Sequence, residues 1–91
     1  MDTAALAVRD NAIEHRYELV RDGEVLGFVT YRPRGEALVL EHTEVDPARR
    51  ERGLGTLLVQ GALDDLRGRG VRVVPLCPFV RAFLDRHPEA T

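Results

Sequence analysis

The chain contains no lysine and no tryptophan, and it has a single cysteine, Cys77. All 13 basic residues are arginines, which excludes a Schiff-base lysine, the lysine of a Walker loop and a lysine general base. One cysteine cannot form an internal disulfide. Together with His15, His42 and His87, Cys77 offers no paired zinc-ligand spacing. The sequence therefore predicts neither a disulfide nor a structural metal.

Long apolar runs are also absent. No segment approaches the roughly 20 apolar residues that span a bilayer, and the first residues lack the basic and apolar regions of a secretion signal. The 91 residues are 44% apolar and 31% charged, a composition typical of one small folded domain. We therefore expect residues 1–91 to form a single domain of a soluble, cytoplasmic protein, with a monomer favoured. The net charge of −2 disfavours nucleic acid as a partner.

Alternating apolar residues and turn signals between residues 12 and 46 predict a three-stranded antiparallel meander. The predicted strands are Ala12–Val20, Val25–Tyr31 and Ala37–Val45, joined by an Asp-Gly hairpin turn at residues 22–23 and a second turn at residues 32–35. Strict alternation divides the third strand between two faces. One face would carry Leu38, Leu40, His42 and Glu44, and the other would carry Val39, Glu41, Thr43 and Val45.

Beyond residue 53 the pattern changes to that of an amphipathic helix, with apolar residues at helical spacing from Leu54 to Leu66. A short β-branched run at residues 71–76 then predicts a strand parallel to the third, because a strand–helix–strand crossover gives parallel pairing. Cys77 and Pro78 fit the N-cap and first position of a last short helix. The predicted fold class is α+β: the meander plus a βαβ unit, giving a mixed sheet flanked by two helices.

The tract RRERGLGT, Arg49 to Thr56, lies at the turn before the long helix. Its glycines let the backbone approach a ligand closely, and the first N–H groups of a helix are free to bind phosphate. Arg49, Arg50 and Arg52 would add charge-assisted hydrogen bonds to a pyrophosphate. The tract is not a Walker loop, which needs lysine, nor a dinucleotide fingerprint, which needs glycine at Leu58. The alternative is an ordinary tight turn with solvated arginines.

The spacing Arg50-x-x-Gly53-x-Gly55 matches the R/Q-x-x-G-x-G/A motif of GCN5-related N-acetyltransferases. Read together, HTEV (42–45), RRERGLGTLLVQGAL (49–63) and PLCPFVRAFLDRHPE (75–89) resemble the small cysteine-containing subgroup of that family, over roughly residues 17–89. The resemblance implies a GNAT-like fold and acetyl-CoA as co-substrate, with no metal. It also implies transfer of the acetyl group to an amine acceptor, which is not established for the subgroup. The sequence shows none of the extra helices and strands that build the acceptor site in larger family members, and the exposed active face that we therefore expect would suit a macromolecular acceptor.

The resemblance further implies where the cofactor binds. The pantetheine would lie along the strand that carries Thr43 and Val45, and Cys77 would lie close to the acetyl group. The pyrophosphate would bind at the turn, to Arg49, Arg50, Arg52, Gly53, Leu54, Gly55 and Thr56.

Three residues are candidates for the chemistry. A thiol at a helix N-cap faces the positive end of the helix dipole, which lowers its pKa and makes Cys77 a candidate nucleophile; the alternative is a small buried apolar side chain. His42 and Glu44 are candidate bases for the incoming ammonium. Their alternatives are a core histidine and a solvated or arginine-paired carboxylate. For the whole protein, the alternative to an N-acetyltransferase is a non-catalytic acyl-CoA-binding or regulatory module.

Overall fold

A computed structural model describes residues 6–48 and 53–90. The described chain forms a five-stranded sheet in the order β1-β2-β3-β4-β5, with β1 to β4 antiparallel and β5 parallel to β4. The predicted α+β class, with a mixed sheet and two helices, is confirmed. The elements are β1 (Ala7–Asn11), β2 (Arg16–Arg21), β3 (Glu24–Arg34), β4 (Ala37–Val45), α1 (Leu54–Gly68), β5 (Arg72–Pro75) and α2 (Pro78–Arg86), followed by a 3-10 turn (Pro88–Ala90).

The N-terminal part of the sheet differs from the prediction. Residues 12–15 form a turn rather than the start of a strand, and β1 adds an antiparallel strand that the three-stranded meander omits. The sequence of β1, AVRDN, has too few apolar residues to show alternation. Its position is fixed by packing, since a Cβ added at Gly61 of α1 would lie 2.5 Å from Cγ2 of Val8. The second predicted strand also runs further, to Arg34.

The two helices begin where the sequence predicts. Gly53 is the N-cap of α1 with φ 82°, a left-handed conformation that glycine adopts without strain. Cys77 is the N-cap of α2, and Pro78 is its first residue. Buried side chains of both helices join those of the strands in one core cluster. Burial of each large apolar side chain contributes about 1.5–3 kcal/mol. No helix of the described segments is long and apolar enough to cross a membrane.

A β-bulge in β4 changes which side chains share a face, because the residues after the bulge lie on the faces opposite to those predicted relative to Leu38 and Leu40. Thr30 of β3 pairs with His42, but Tyr31 pairs with Leu40, so Glu41 is an extra residue in β4. Cross-strand partners share a face, and Tyr17, Val29 and Thr43 form one row that faces the helices. The strict alternation predicted from sequence is therefore wrong. Leu38, Leu40, Thr43 and Val45 lie on this helix face, and His42 and Glu44 lie on the opposite side, the outer face.

The strands β4 and β5 separate after a short parallel ladder. Their pairing runs from Ala37–Arg72 to Leu40–Pro75. The N–H groups of Leu76 and Cys77 then both donate to the carbonyl oxygen of Leu40, at 3.0 Å each. Beyond that point the chain turns into α2, while β4 continues for five more residues. A gap therefore opens between residues 41–45 of β4 and the start of α2.

Candidate active site

The side chain of Cys77 lies at this gap. Its sulfur is 3.2 Å from Oγ1 of Thr43 on the helix face of β4, and only 3% of the residue is exposed. Burial by itself would raise the pKa of the Cys77 thiol, but hydrogen bonding from the Thr43 side chain and from nearby backbone amides outweighs it. The pKa is therefore lowered, as the N-cap position predicts. The alternative, an inert buried side chain, accounts for the burial but not for the polar surroundings.

Backbone amides supply the rest of the stabilisation of a thiolate. The sulfur makes no regular capping hydrogen bond. The N–H groups of Phe79 and Val80, in the first turn of α2, nevertheless act on it and lower its pKa, and the N–H of Thr43 acts in the same direction. These donors come from two elements that meet at the gap, so the negative charge of a Cys77 thiolate faces fixed dipoles on both sides.

The first turn of α1 contains the described part of the segment, residues 49–56, that the sequence predicts to bind the cofactor. The first intrahelical bond runs from the N–H of Leu57 to the carbonyl of Gly53, at 2.9 Å. The N–H groups of residues 54–56 precede it and have no intrahelical acceptor. Gly53 and Thr56 are exposed, whereas Leu54 is buried and anchors the helix. This arrangement leaves donors at an exposed helix start, where an anion can bind. Arg49, Arg50 and Arg52 lie outside the described residues.

The starts of α1 and α2 touch each other. A Cβ added at Gly55 would lie 2.8 Å from Cζ of Phe79, so the phenyl ring covers the glycine backbone. Gly55 is the second residue of α1, and Phe79 is the second residue of α2. The positive ends of two helix dipoles therefore converge beside the gap, which favours anionic groups there.

The other two candidates for catalysis lie on the outer face. Nε2 of His42 is 3.1 Å from Oε1 of Glu44, and their side chains are 62% and 58% exposed. His42 is thus not a core histidine, and Glu44 is solvated and paired with His42. Thr43, between them in sequence, points to the opposite face and contacts Cys77. The structure brings Thr43 and Cys77 together and places His42 and Glu44 as a separate pair on the other side of β4.

A polar network at the far end of α1 was not predicted from the sequence. The Tyr17 hydroxyl donates to Asp65, and the Tyr31 hydroxyl donates to Asp10, at 2.5 Å each. Arg69 donates to Asp10, Asp65 and the Tyr17 oxygen. Members of the network are up to 59 residues apart in sequence, so no local pattern identifies it. It ties β1, β2 and β3 to the last turn of α1.

No group of three or more metal-binding side chains occurs within residues 6–48 and 53–90.

A family model described as GCN5-related N-acetyl-transferase matches residues 16–91. The fold is similar to the NMR solution structure of a GCN5-like protein from Staphylococcus aureus that is proposed to be an N-acetyltransferase. The two share 17% sequence identity with a TM-score of 0.67, and the match covers 99% of this chain and 86% of the other. No curated protein sequence matches the chain.

Proposed function

Because this chain belongs to the GCN5-related N-acetyltransferase family, we propose that it transfers an acetyl group from acetyl-CoA to an amine, with Cys77 as the acetyl carrier. The observation that carries this proposal is the position of the Cys77 sulfur. It lies where β4 and β5 separate, beside Thr43, and its pKa is lowered. A thiolate next to an open strand edge suits exchange with a thioester.

The proposed cofactor site runs from the start of α1 to Cys77. The N–H groups of Gly53, Leu54, Gly55 and Thr56 would bind the pyrophosphate, with Arg49, Arg50 and Arg52 adding positive charge. The N–H of Asp46 donates a hydrogen bond to the carbonyl oxygen of Leu26, in β3. Because backbone groups alternate in direction along a strand, those of Val45 and Thr43 point the other way, into the gap. The N–H of Thr43 acts on the Cys77 sulfur, so the carbonyl of Thr43 and the backbone groups of Val45 are the groups that would bind the amides of pantetheine.

The proposed reaction has two steps. The Cys77 thiolate attacks the thioester carbonyl; a bond to its sulfur forms, the bond to the CoA sulfur breaks, and CoA leaves as a thiolate. An amine then attacks the acetyl-cysteine, the new C–N bond replaces the C–S bond, and Cys77 is released as a thiolate. The two protons that the ammonium loses pass to a base or to solvent, and His42 and Glu44 are the proposed bases for an acceptor approaching over the outer face.

Intact-mass analysis after incubation with acetyl-CoA tests the proposal. We expect one added acetyl group, located on Cys77 by peptide mapping, and no such group in Cys77→Ala. Mapping is needed because acetylation of the Met1 amine adds the same mass. A second measurement follows the acetylation of an added amine by acetyl-CoA. If Cys77→Ala turns over as fast as wild type, Cys77 is not the acetyl carrier and the acetyl group passes directly from acetyl-CoA to the amine.

Amide chemical shifts measured during titration with CoA test the cofactor site separately. The amides of residues 53–56 should shift most, because they lie at the proposed pyrophosphate site. Binding there without acetylation of Cys77 would favour the non-catalytic acyl-CoA-binding module. Shifts confined to other regions would contradict the proposed site, and the absence of any CoA binding would contradict both functions.

A further inference from the structure

The surroundings of the Cys77 sulfur on the helix face favour an anion. The sulfur contacts the Thr43 hydroxyl at 3.2 Å, and the backbone N–H groups of Thr43, Phe79 and Val80 act on it. Within the described residues, neither helix has an acidic side chain in its first turn. The dipoles at the two helix starts therefore attract an anionic nucleophile and repel an ammonium.

The candidate bases lie outside these surroundings. His42 and Glu44 pair on the outer face, and the strand β4 separates them from the Cys77 sulfur. An amine needs such a base, because an unperturbed alkylammonium loses its proton only near a pH of about 10.4. A cysteine-type thiol loses its proton about two pH units lower, near about 8.5. A thiol can therefore react on the helix face without help from either residue.

The first step of the proposed reaction already places a second thiolate at this position. When Cys77 takes the acetyl group, CoA leaves as a thiolate beside the donors that stabilise the thiolate of Cys77. The reverse step is the attack of a thiolate on the acetyl-cysteine, and microscopic reversibility gives it the same transition state. A different thiol that follows the same path can therefore take the acetyl group in place of CoA.

The path to the sulfur limits the shape of this thiol. Only 3% of Cys77 is exposed, whereas Gly53 and Thr56 at the start of α1 are exposed residues. The N–H groups of residues 54–56 have no intrahelical acceptor and can bind a phosphate. A slender arm with a thiol at one end and a phosphate at the other matches both ends of this path, and a bulky thiol does not reach the sulfur.

We propose that the protein has a second activity, the exchange of acetyl groups between CoA and a small thiol on a phosphorylated pantetheine arm. The acceptor thiol first loses its proton to solvent. Its sulfur then forms a bond to the acetyl carbon, the bond from that carbon to the Cys77 sulfur breaks, and Cys77 is released as a thiolate for the next acetyl-CoA. The activity rests on the acetyl-cysteine step of the proposed function, but it requires neither an amine nor a base.

Exchange is tested with acetyl-CoA and 4′-phosphopantetheine in the absence of any amine. The initial rate at which acetyl-4′-phosphopantetheine forms is measured by mass spectrometry. We expect wild type to exceed the protein-free rate by about 100-fold or more, because binding holds the thioester beside the thiolate. Cys77→Ala should give no increase. A wild-type rate equal to the protein-free rate, or to the rate of Cys77→Ala, would overturn the proposal.

Two further acceptors test the phosphate and the thiol separately. Pantetheine lacks the phosphate and should have a KM about tenfold higher than 4′-phosphopantetheine, with little change in kcat, because it makes no charged hydrogen bonds at the start of α1. n-Butylamine should be acetylated about tenfold more slowly than 4′-phosphopantetheine at pH 7, because so little of it is uncharged. Equal KM values for the two thiols would contradict the role of the phosphate, and faster acetylation of n-butylamine would contradict the preference for a thiol.

Matched variants test the side from which the thiol approaches. Glu44→Gln removes a proposed base from the outer face and should raise the ratio of transfer to 4′-phosphopantetheine over transfer to n-butylamine. Glu41→Gln removes a carboxylate of the same strand that pairs with Arg32, and it should leave this ratio unchanged. Equal ratios in the two variants would contradict an approach on the helix face.

The outcomes separate this activity from the proposed function. Acetyl-Cys77 that forms but does not pass its acetyl group to 4′-phosphopantetheine would overturn the exchange activity and leave the proposed function in place. Exchange without acetylation of any amine would support the thiol acceptor and contradict the amine acceptor. If no acetyl-Cys77 forms and no exchange occurs, both proposals fail.

Discussion

The hydroxyl oxygen of Thr43 lies 3.2 Å from the sulfur of Cys77, across the gap where β4 leaves β5. The contact depends on the bulge at Glu41, because an unbroken alternation would turn Thr43 away from the face that carries Leu40. A single extra residue in one strand thus decides which side chain meets the thiol.

Thr43→Val should raise the pKa of Cys77, because it removes the hydroxyl that stabilises the thiolate while keeping the shape of the side chain. The pH dependence of thiolate ultraviolet absorbance, measured against Cys77→Ser, reports this pKa. Thr30→Val is the matched control, since Thr30 lies on the outer face, in the row of His42. A titration that is the same in Thr43→Val and wild type would show that the hydroxyl does not act on the thiol.

Gly61→Ala should lower the free energy of unfolding by about 1–3 kcal/mol, the usual cost of overpacking. The added Cβ would lie 2.5 Å from Cγ2 of Val8, so β1 must move away from α1. Gly68→Ala in the same helix is the control, because nothing lies within 4 Å of its added Cβ. It should leave stability unchanged or raise it by up to about 1 kcal/mol through helix propensity. Urea denaturation compares the two, and equal effects would contradict the close packing of β1 against α1.

The two tyrosines should make the protein sensitive to alkali. Burial, followed by hydrogen bonding to Asp65, raises the pKa of Tyr17, and burial with hydrogen bonding to Asp10 raises the pKa of Tyr31 to about 12. A group whose pKa is raised in the folded state stabilises the protein fully below its unfolded pKa of about 10. This stabilisation is lost as the pH rises above that value. Denaturant midpoints should therefore fall above pH 10, with tyrosinate absorbance appearing as the protein unfolds. Tyr31→Phe should be about 1 kcal/mol less stable than wild type at neutral pH. Its denaturant midpoint should fall less steeply above pH 10 than that of wild type, and a steeper fall would contradict the role given to Tyr31.

Glu18 should contribute the opposite dependence in acid. It is 1% exposed on the outer face; burial raises its pKa, but hydrogen bonds from Asn11, Arg16 and Arg9 outweigh this and lower it. A lowered pKa contributes stability that is present above the unfolded pKa of about 4.3 and is lost as the pH falls through the folded value. Glu18→Gln should cost about 1–3 kcal/mol at pH 7. The difference in the free energy of unfolding between Glu18→Gln and wild type should shrink in acid. A difference that stays constant with pH would contradict this explanation.

Local patterns predicted the parts of the fold that depend on neighbouring residues. The apolar spacing after Leu54 and the Cys77-Pro78 pair identified both helices and their starts. The turn at Asp22 and Gly23 is also as predicted, since both residues have positive φ. β1 was missed, because its five residues are mostly polar and its place depends on Val8 packing at Gly61.

The amino-acid sequence alone determined the two helices, the N-cap position of the thiol and the glycine turn that identifies the family, because each depends on residues close together in the chain. Only the tertiary structure decided that Thr43 faces Cys77, that His42 and Glu44 lie on the other side of β4, and that tyrosines and carboxylates from β1, β2, β3 and α1 share one network. These relationships depend on the register between strands and on contacts across the sheet. Register is set by the packing of the whole core, which no short segment encodes.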